Sequence, residues 1–153
     1  MQLPESTAIE ISTDPARLQA EAIHAALART YWAADRPLAL VRRSLEHSLS
    51  FGLFERGGVR ERQIGLARVV TDRATFAYLC DVYVLEEFRG RGLGRRLLEH
   101  VLAHPDLQGL RRFSLITRDA HGLYAELGFR PLAAPEQHME RVEGPSTPAE
   151  RGR

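Results

Sequence analysis

Between Asp81 and Arg96 the chain reads DVYVLEEFRGRGLGRR, an apolar stretch that passes through a short glycine-containing loop into an amphipathic segment. Gly90, Gly92 and Gly94 let successive backbone N–H groups converge without side chains between them. The unsatisfied amides and positive dipole end of a following helix then favour a phosphate. Arg89, Arg91, Arg95 and Arg96 add charge at the same place. The spacing is G-x-G-x-G and the preceding strands read as a meander, so the dinucleotide fingerprint G-x-G-x-x-G within a βαβ unit fails on both spacing and context. A plain turn that caps strand and helix is the competing reading of the same residues.

Other reactive side chains are more isolated. Asp81 lies in the strand before the loop, and Glu86 and Glu87 in the loop itself. Cys80, the single cysteine, has no histidine paired with it by any motif, and a buried strand cysteine is the commoner case. His100 and His104 stand at i and i+4, but no third ligand is evident and the glutamate of H-E-x-x-H is missing; no metal is expected. His121 reads as a surface or capping histidine. All 21 basic residues are arginine, and the chain has neither lysine nor asparagine, which excludes a Walker A lysine, a Schiff-base lysine and an N-glycosylation acceptor. No G-x-S-x-G elbow occurs.

The elements that must position these groups follow from periodicity. Ala8 to Ile11 is β-prone. Asp14-Pro15 opens a predicted helix to about Tyr31, and Leu38, Val41, Leu45 and Leu49 mark a second amphipathic helix after Pro37. Ser50–Glu55, Gln63–Thr71 and Thr75–Val84 read as an antiparallel three-strand meander. Leu93, Leu97, Leu98, Val101 and Leu102 share one face of a helix that ends before Pro105. Arg112–Thr117 is a strand, Ala120–Leu127 a short helix stopped by Gly128, and Phe129–Leu132 and His138–Val142 are weaker strands. The expected domain is therefore residues 1–143, followed by a disordered tail from Gly144 to Arg153.

With 153 residues there is room for one domain with a real core, and 44% hydrophobic against 27% charged residues is ordinary for a globular protein. A formal charge of +1 argues against nucleic acid or anionic lipid as partner. Neither a secretory signal nor an 18-residue apolar run is visible, so a cytoplasmic protein is expected, and arginine-only usage suggests a GC-rich, bacterial genome.

Arg89-x-x-Gly92-x-Gly94, after an apolar strand and before an amphipathic helix, resembles the acyl-CoA pyrophosphate motif of the GNAT (GCN5-related) N-acetyltransferases. Downstream, AHGLYAELGF from Ala120 to Phe129 resembles the family's A-x-x-L-Y-x-x-x-G-F segment. The resemblance spans about Ala8 to Val142. It implies an α/β (α+β) fold with a mixed, mostly antiparallel sheet whose two central strands splay. It also implies acetyl-CoA as cosubstrate in that gap, with an amine as acceptor. By that similarity Val82, Tyr83 and Val84 line the pantetheine arm, and Arg89, Gly90, Arg91, Gly92, Leu93, Gly94 and Arg95 hold the pyrophosphate. Thr117 stands where many members carry a cofactor-orienting asparagine, while Asp119 is expected to cap the short helix.

The same resemblance assigns Tyr124 as the acid that protonates the departing thiolate, and a backbone N–H near Val82 as the oxyanion donor. Asp81 matches a position where members acting on small amines carry an acid that attracts the amine or relays its proton; a carboxylate bonded to backbone or arginine is the alternative. Tyr31, Trp32 and Arg36, from the first two helices and their connection, and Phe51 with the last strands are the expected acceptor side; core or hinge packing is the other reading of Trp32. The acceptor is a small-molecule or peptide amine, and a homodimer is compatible with such a domain. A non-catalytic acyl-CoA-binding sensor of the same fold is the alternative function.

Overall fold

The computed structural model describes residues 8–144, so the predicted tail beyond Gly144 lies outside the described residues. Five strands form one sheet in chain order: β1 (Ala8–Ser12), β2 (Leu49–Arg56), β3 (Arg62–Thr71), β4 (Phe76–Val84) and β5 (Arg112–Leu115). The first four pair antiparallel, and β5 joins β4 in parallel. The predicted mixed sheet is therefore present, with each strand of the meander within one residue of its expected limits.

Helices α1 (Ala20–Leu27) and α2 (Leu38–Glu46) occupy the β1–β2 connection. Their residues Ile23, Leu27 and Val41 close over Leu66 and Tyr83 on one side of the sheet. A parallel step needs a crossover. Helix α3 (Leu93–Ala103) supplies it, packing Leu97, Leu98 and Val101 onto Phe51, Ala67, Val69, Ala77 and Leu79 on the opposite side. Helix α4 (His121–Glu126) follows β5.

The expected first helix is split. Residues Pro15–Arg17 make a single 3-10 turn capped by Asp14, and α1 begins only at Ala20. The break is stabilised from outside: Arg17 pairs with Glu10 and Glu61, and the Gln19 and Gln63 side chains tie the start of α1 to β3. After Leu27 the chain turns irregularly as far as Arg36, with the Thr30 hydroxyl donating to the Leu27 carbonyl and accepting from the Ala33 N–H.

Two expected strands are not formed. Phe129–Leu132 and His138–Val142 are irregular, separated by a 3-10 turn at Pro135–Gln137. Pro131 withholds an amide donor from the first, and in the second Met139 and Val142 are exposed and bury no face. Only Phe129 docks firmly, its N–H donating to the Tyr124 carbonyl and its ring edge-on to Phe113 and Tyr124.

Leu79 and Tyr83 belong to opposite sides of the sheet, although four residues apart on a regular strand they would share a face. A bulge inverts the alternation: Leu66 pairs with Tyr83 and Arg68 with Cys80, leaving Ala67 opposite both Asp81 and Val82. Asp81 takes φ +52°, in the left-handed region that L-residues other than Asn and Asp seldom enter. On its other side β4 pairs with β5 only from Phe76 to Leu79, so β4 runs on to Val84 while β5 ends at Leu115. This is the expected splay.

The bulged stretch also depends on a close approach across the sheet. A Cβ at Gly65 would lie 2.9 Å from the Tyr83 carbonyl oxygen and 3.1 Å from Leu53 side-chain atoms, contacts that backbone and core cannot easily relieve. Gly65→Ala is expected to lower stability by about 1–3 kcal/mol in urea denaturation. Gly122→Ala, in α4 with open space around it, is expected to be neutral or stabilising by up to about 1 kcal/mol.

Candidate functional site

Where β4 and β5 part, a cavity of about 610 Å³ opens. Tyr31, Trp32 and Arg36 reach it from the α1–α2 connection, Arg68 from β3, Tyr78 to Val82 from β4, and Thr117 to Ala120 from the chain after β5. Tyr124 of α4 closes the far wall.

Asp81 sits at its floor, almost wholly buried. One carboxylate oxygen accepts the Trp32 indole N–H at 3.0 Å. The other accepts from Arg36 Nη1 at 2.6 Å and from Arg68 Nε at 2.9 Å. Burial alone works to raise its pKa, but the Arg36 and Arg68 guanidiniums outweigh it and hold the carboxyl below the usual aspartate range. Such a carboxylate is a weak base with no oxygen left without a donor. The alternative reading of Asp81, a carboxylate bonded to arginine, describes this geometry.

Tyr124 is half-buried, and burial together with the neighbouring Tyr31 raises its pKa. The phenol therefore stays protonated near neutral pH. The Cys80 thiol, facing the same cavity, is pushed up to about 11 by burial, which leaves almost no thiolate at neutral pH.

The glycine loop leads into α3. Gly90 and Gly92 adopt φ +79° and +72°, and Gly92 caps the helix, whose first-turn amides at Leu93, Gly94 and Arg95 have no intrahelical acceptor. Gly94 has no such backbone requirement. A Cβ there would meet only the Val84 side chain, at an ordinary 3.8 Å, so nothing within the chain requires glycine. A group approaching the amides from outside would require it, and a pyrophosphate fits that surface. The arginines divide: Arg89 bonds the Val84 carbonyl, Arg91 lies over the Phe88 ring, Arg96 reaches the Ile9 carbonyl, and Arg95 is engaged by Glu99 and Glu126.

The sequence-predicted residues thus separate into groups. Tyr31, Trp32, Asp81, Val82, Thr117 and Tyr124 meet in one cavity. Tyr83 points away into the α1–α2 core, where only its backbone remains available to a ligand on β4. Phe51 does not line the acceptor side: it is buried under α3, edge-on to His104. The expected Asp119 cap is not made: α4 starts after Ala120 with no side-chain cap, Thr117 Oγ1 accepts from the Ala120 N–H in the turn before it, and Asp119 pairs with Arg118. His104 Nδ1 accepts from the Asp106 N–H and caps a 3-10 turn. Arg68 was missed, although a lone arginine inside the apolar run IGLARVV is itself a sign of a buried charge.

Asp81→Asn separates charge from backbone conformation, because asparagine also tolerates positive φ. It is expected to cost about 3 kcal/mol at pH 7, the low end for breaking a buried pair, since both arginines keep some solvent contact. The folded pKa is depressed, so the carboxylate's contribution is complete above the unfolded value of about 3.9 and is lost as pH falls below it, through the folded value. Urea denaturation at neutral and at acid pH should show the two proteins differing in the first and converging in the second.

Comparison with known proteins gives the same fold and family. The family model described as "Acetyltransferase (GNAT) family" matches residues 16–129. A crystal structure from Xanthomonas campestris pv. campestris, described as belonging to the GNAT family, is 55% identical with a TM-score of 0.84, over 89% of this chain and 94% of that one. A Gibberella zeae protein named "putative acetyltransferase" is 38% identical over 135 residues, 76% of this chain and 75% of its own. N-acetylglutamate synthase from Neisseria gonorrhoeae, complexed with coenzyme A and L-arginine, shares the fold at TM-score 0.62 and 20% identity, over 86% of this chain and 29% of that one. The chain belongs to the GNAT family and is an acetyltransferase.

Proposed function

We propose that residues 1–143 act as one catalytic domain that moves an acetyl group from acetyl-CoA to a primary amine by direct attack in a ternary complex. The observation that carries this reading is the meeting, in one cavity, of the β4 bulge and Tyr124 at the point where β4 and β5 part. The coenzyme A in the Neisseria neighbour of the same fold supports the donor. The backbone of Val82, Tyr83 and Val84 would hold the pantetheine arm. The amides from Gly90 to Arg95 would hold the pyrophosphate, with Arg89 and Arg91 adding charge. Bound there, acetyl-CoA supplies an activated acyl group on a thiol leaving group.

The chain's own groups then have separate tasks. The backbone N–H of Val82, beside the bulge, takes the negative charge that develops on the carbonyl oxygen. Both oxygens of Asp81 are already engaged, one by Trp32 and the other by Arg36 and Arg68. Asp81 is therefore a positioning residue: it holds Trp32, Arg36 and Arg68 and does not itself take the proton. The amine nitrogen forms the new N–C bond as the C–S bond breaks; Tyr124 protonates the sulfur, and the proton shed by the amine restores the phenol by way of solvent. The protonated state of Cys80 favours this direct route over an acyl-enzyme.

Gly94→Ala is expected to weaken acetyl-CoA binding at least about tenfold, or about 1.4 kcal/mol, in titration calorimetry with an unchanged melting temperature. Equal affinity in the folded variant would remove the pyrophosphate from this loop. Tyr124→Phe is expected to lower kcat on the order of 100-fold while the acetyl-CoA Kd stays the same; unchanged turnover, with chemistry rate-limiting, would exclude Tyr124 as the acid.

A further inference from the structure

The cavity floor carries more positive than negative charge. Asp81 is the one carboxylate, among the described residues, within ion-pair distance of Arg36 or Arg68, and both guanidiniums bond the same oxygen. Arg68 Nη1 also donates to Ser48 Oγ, but a hydroxyl contributes no charge. The two side chains are only 20% and 13% exposed, so water compensates the surplus poorly. The remaining charges of the cavity lie at its rim: Arg118 pairs with Asp119, and Glu140 is exposed.

From this we infer that the acceptor is a small amine that itself carries a carboxylate, of the amino acid type, and that Arg36 and Arg68 bind that carboxylate. The inference rests on the acetyltransferase reading of this cavity. A guanidinium presents several N–H donors in a planar fork that matches a carboxylate, and each of these two has spent only part of that set on Asp81. A second carboxylate completes a two-by-two arrangement of charges in which no ion is left unbalanced in a partly desolvated place. A simple alkylamine would leave the surplus unanswered, and its ammonium form would be repelled.

Position adds to charge. Asp81 and Val82 are consecutive and line the same cavity as Arg36 and Arg68, so a group held by these arginines shares one chamber with a carbonyl oxygen met by the Val82 N–H. Both the amine and the carboxylate of the acceptor then fall within this one cavity, as in a small amino acid. A peptide N-terminus brings no carboxylate into it unless its first residues are acidic. Trp32, Tyr31 and Tyr78 give the rest of the acceptor aromatic surface.

The test has two stages with the full chain. Acetyl-CoA binding is measured first by calorimetry, because no binding would overturn the acetyltransferase reading itself. The twenty L-amino acids, their amides and their decarboxylated amines are then compared as acceptors by release of free thiol. At least one amino acid is expected to exceed its own amide and amine tenfold or more in kcat/KM. Arg36→Gln is expected to abolish that preference by raising KM while the acetyl-CoA affinity is unchanged, and Arg68→Gln serves the same purpose if the first variant is unstable. The inference is overturned if amides or plain amines are acetylated as well as the acids, or if no amino acid is acetylated by protein that binds acetyl-CoA. It is also overturned if the preference survives in both folded arginine variants.

Discussion

The bulge at Asp81 is the constraint around which the rest of the site is arranged. An aspartate in the left-handed region, two residues set against one on β3, turns the side chains of β4 over, so that Leu79 faces α3 and Tyr83 faces α1 and α2. That inversion lets one strand serve two cores. It also breaks the ladder beside Val82, on the length of β4 that β5 no longer accompanies. Such a backbone state costs free energy and persists only where the surroundings over-determine it. Here Trp32, Arg36 and Arg68 do so, drawn from the α1–α2 connection and from β3.

The Trp32 and Arg36 bonds go with the irregular course of the α1–α2 connection. A continuous helix to Tyr31 would have carried the chain past the sheet; instead α1 stops at Leu27 and the turns that follow bring Trp32 and Arg36 over Asp81. The carboxylate is thus a structural counter-charge first. In the proposed function it acts through the arginines it holds, unlike an exposed acid at the same position. The glycine loop and the cavity are correspondingly separate: one presents backbone amides, the other guanidiniums.

Much of this was legible in the chain and some was not. Runs of β-branched and aromatic residues between turn residues located β2, β3 and β4, the first two buried on both faces, and the spacing of Leu93, Leu97, Leu98 and Val101 located α3, which buries one. Tyr124 and the glycine loop were found from local motifs. What local pattern could not convey was orientation. Phe51 was placed in the site and the side-chain direction of Tyr83 was not foreseen, because the face a strand residue presents depends on register and bulges, which are set by partners far away in the chain. The pairing of Asp81 with Arg36 and Arg68, 45 and 13 residues away, is of the same kind. The first of the two expected C-terminal strands carries a visible obstacle, Pro131; the second, His138–Val142, has no proline, and its residues are exposed.

Trp32 is the single tryptophan of the chain, and its indole N–H is bonded to the carboxylate at the centre of the site. On the proposed reading, acceptor binding changes the charges beside this indole, with no second indole to dilute the signal. The native protein would then carry its own optical reporter of the cavity floor, in real time and without a label.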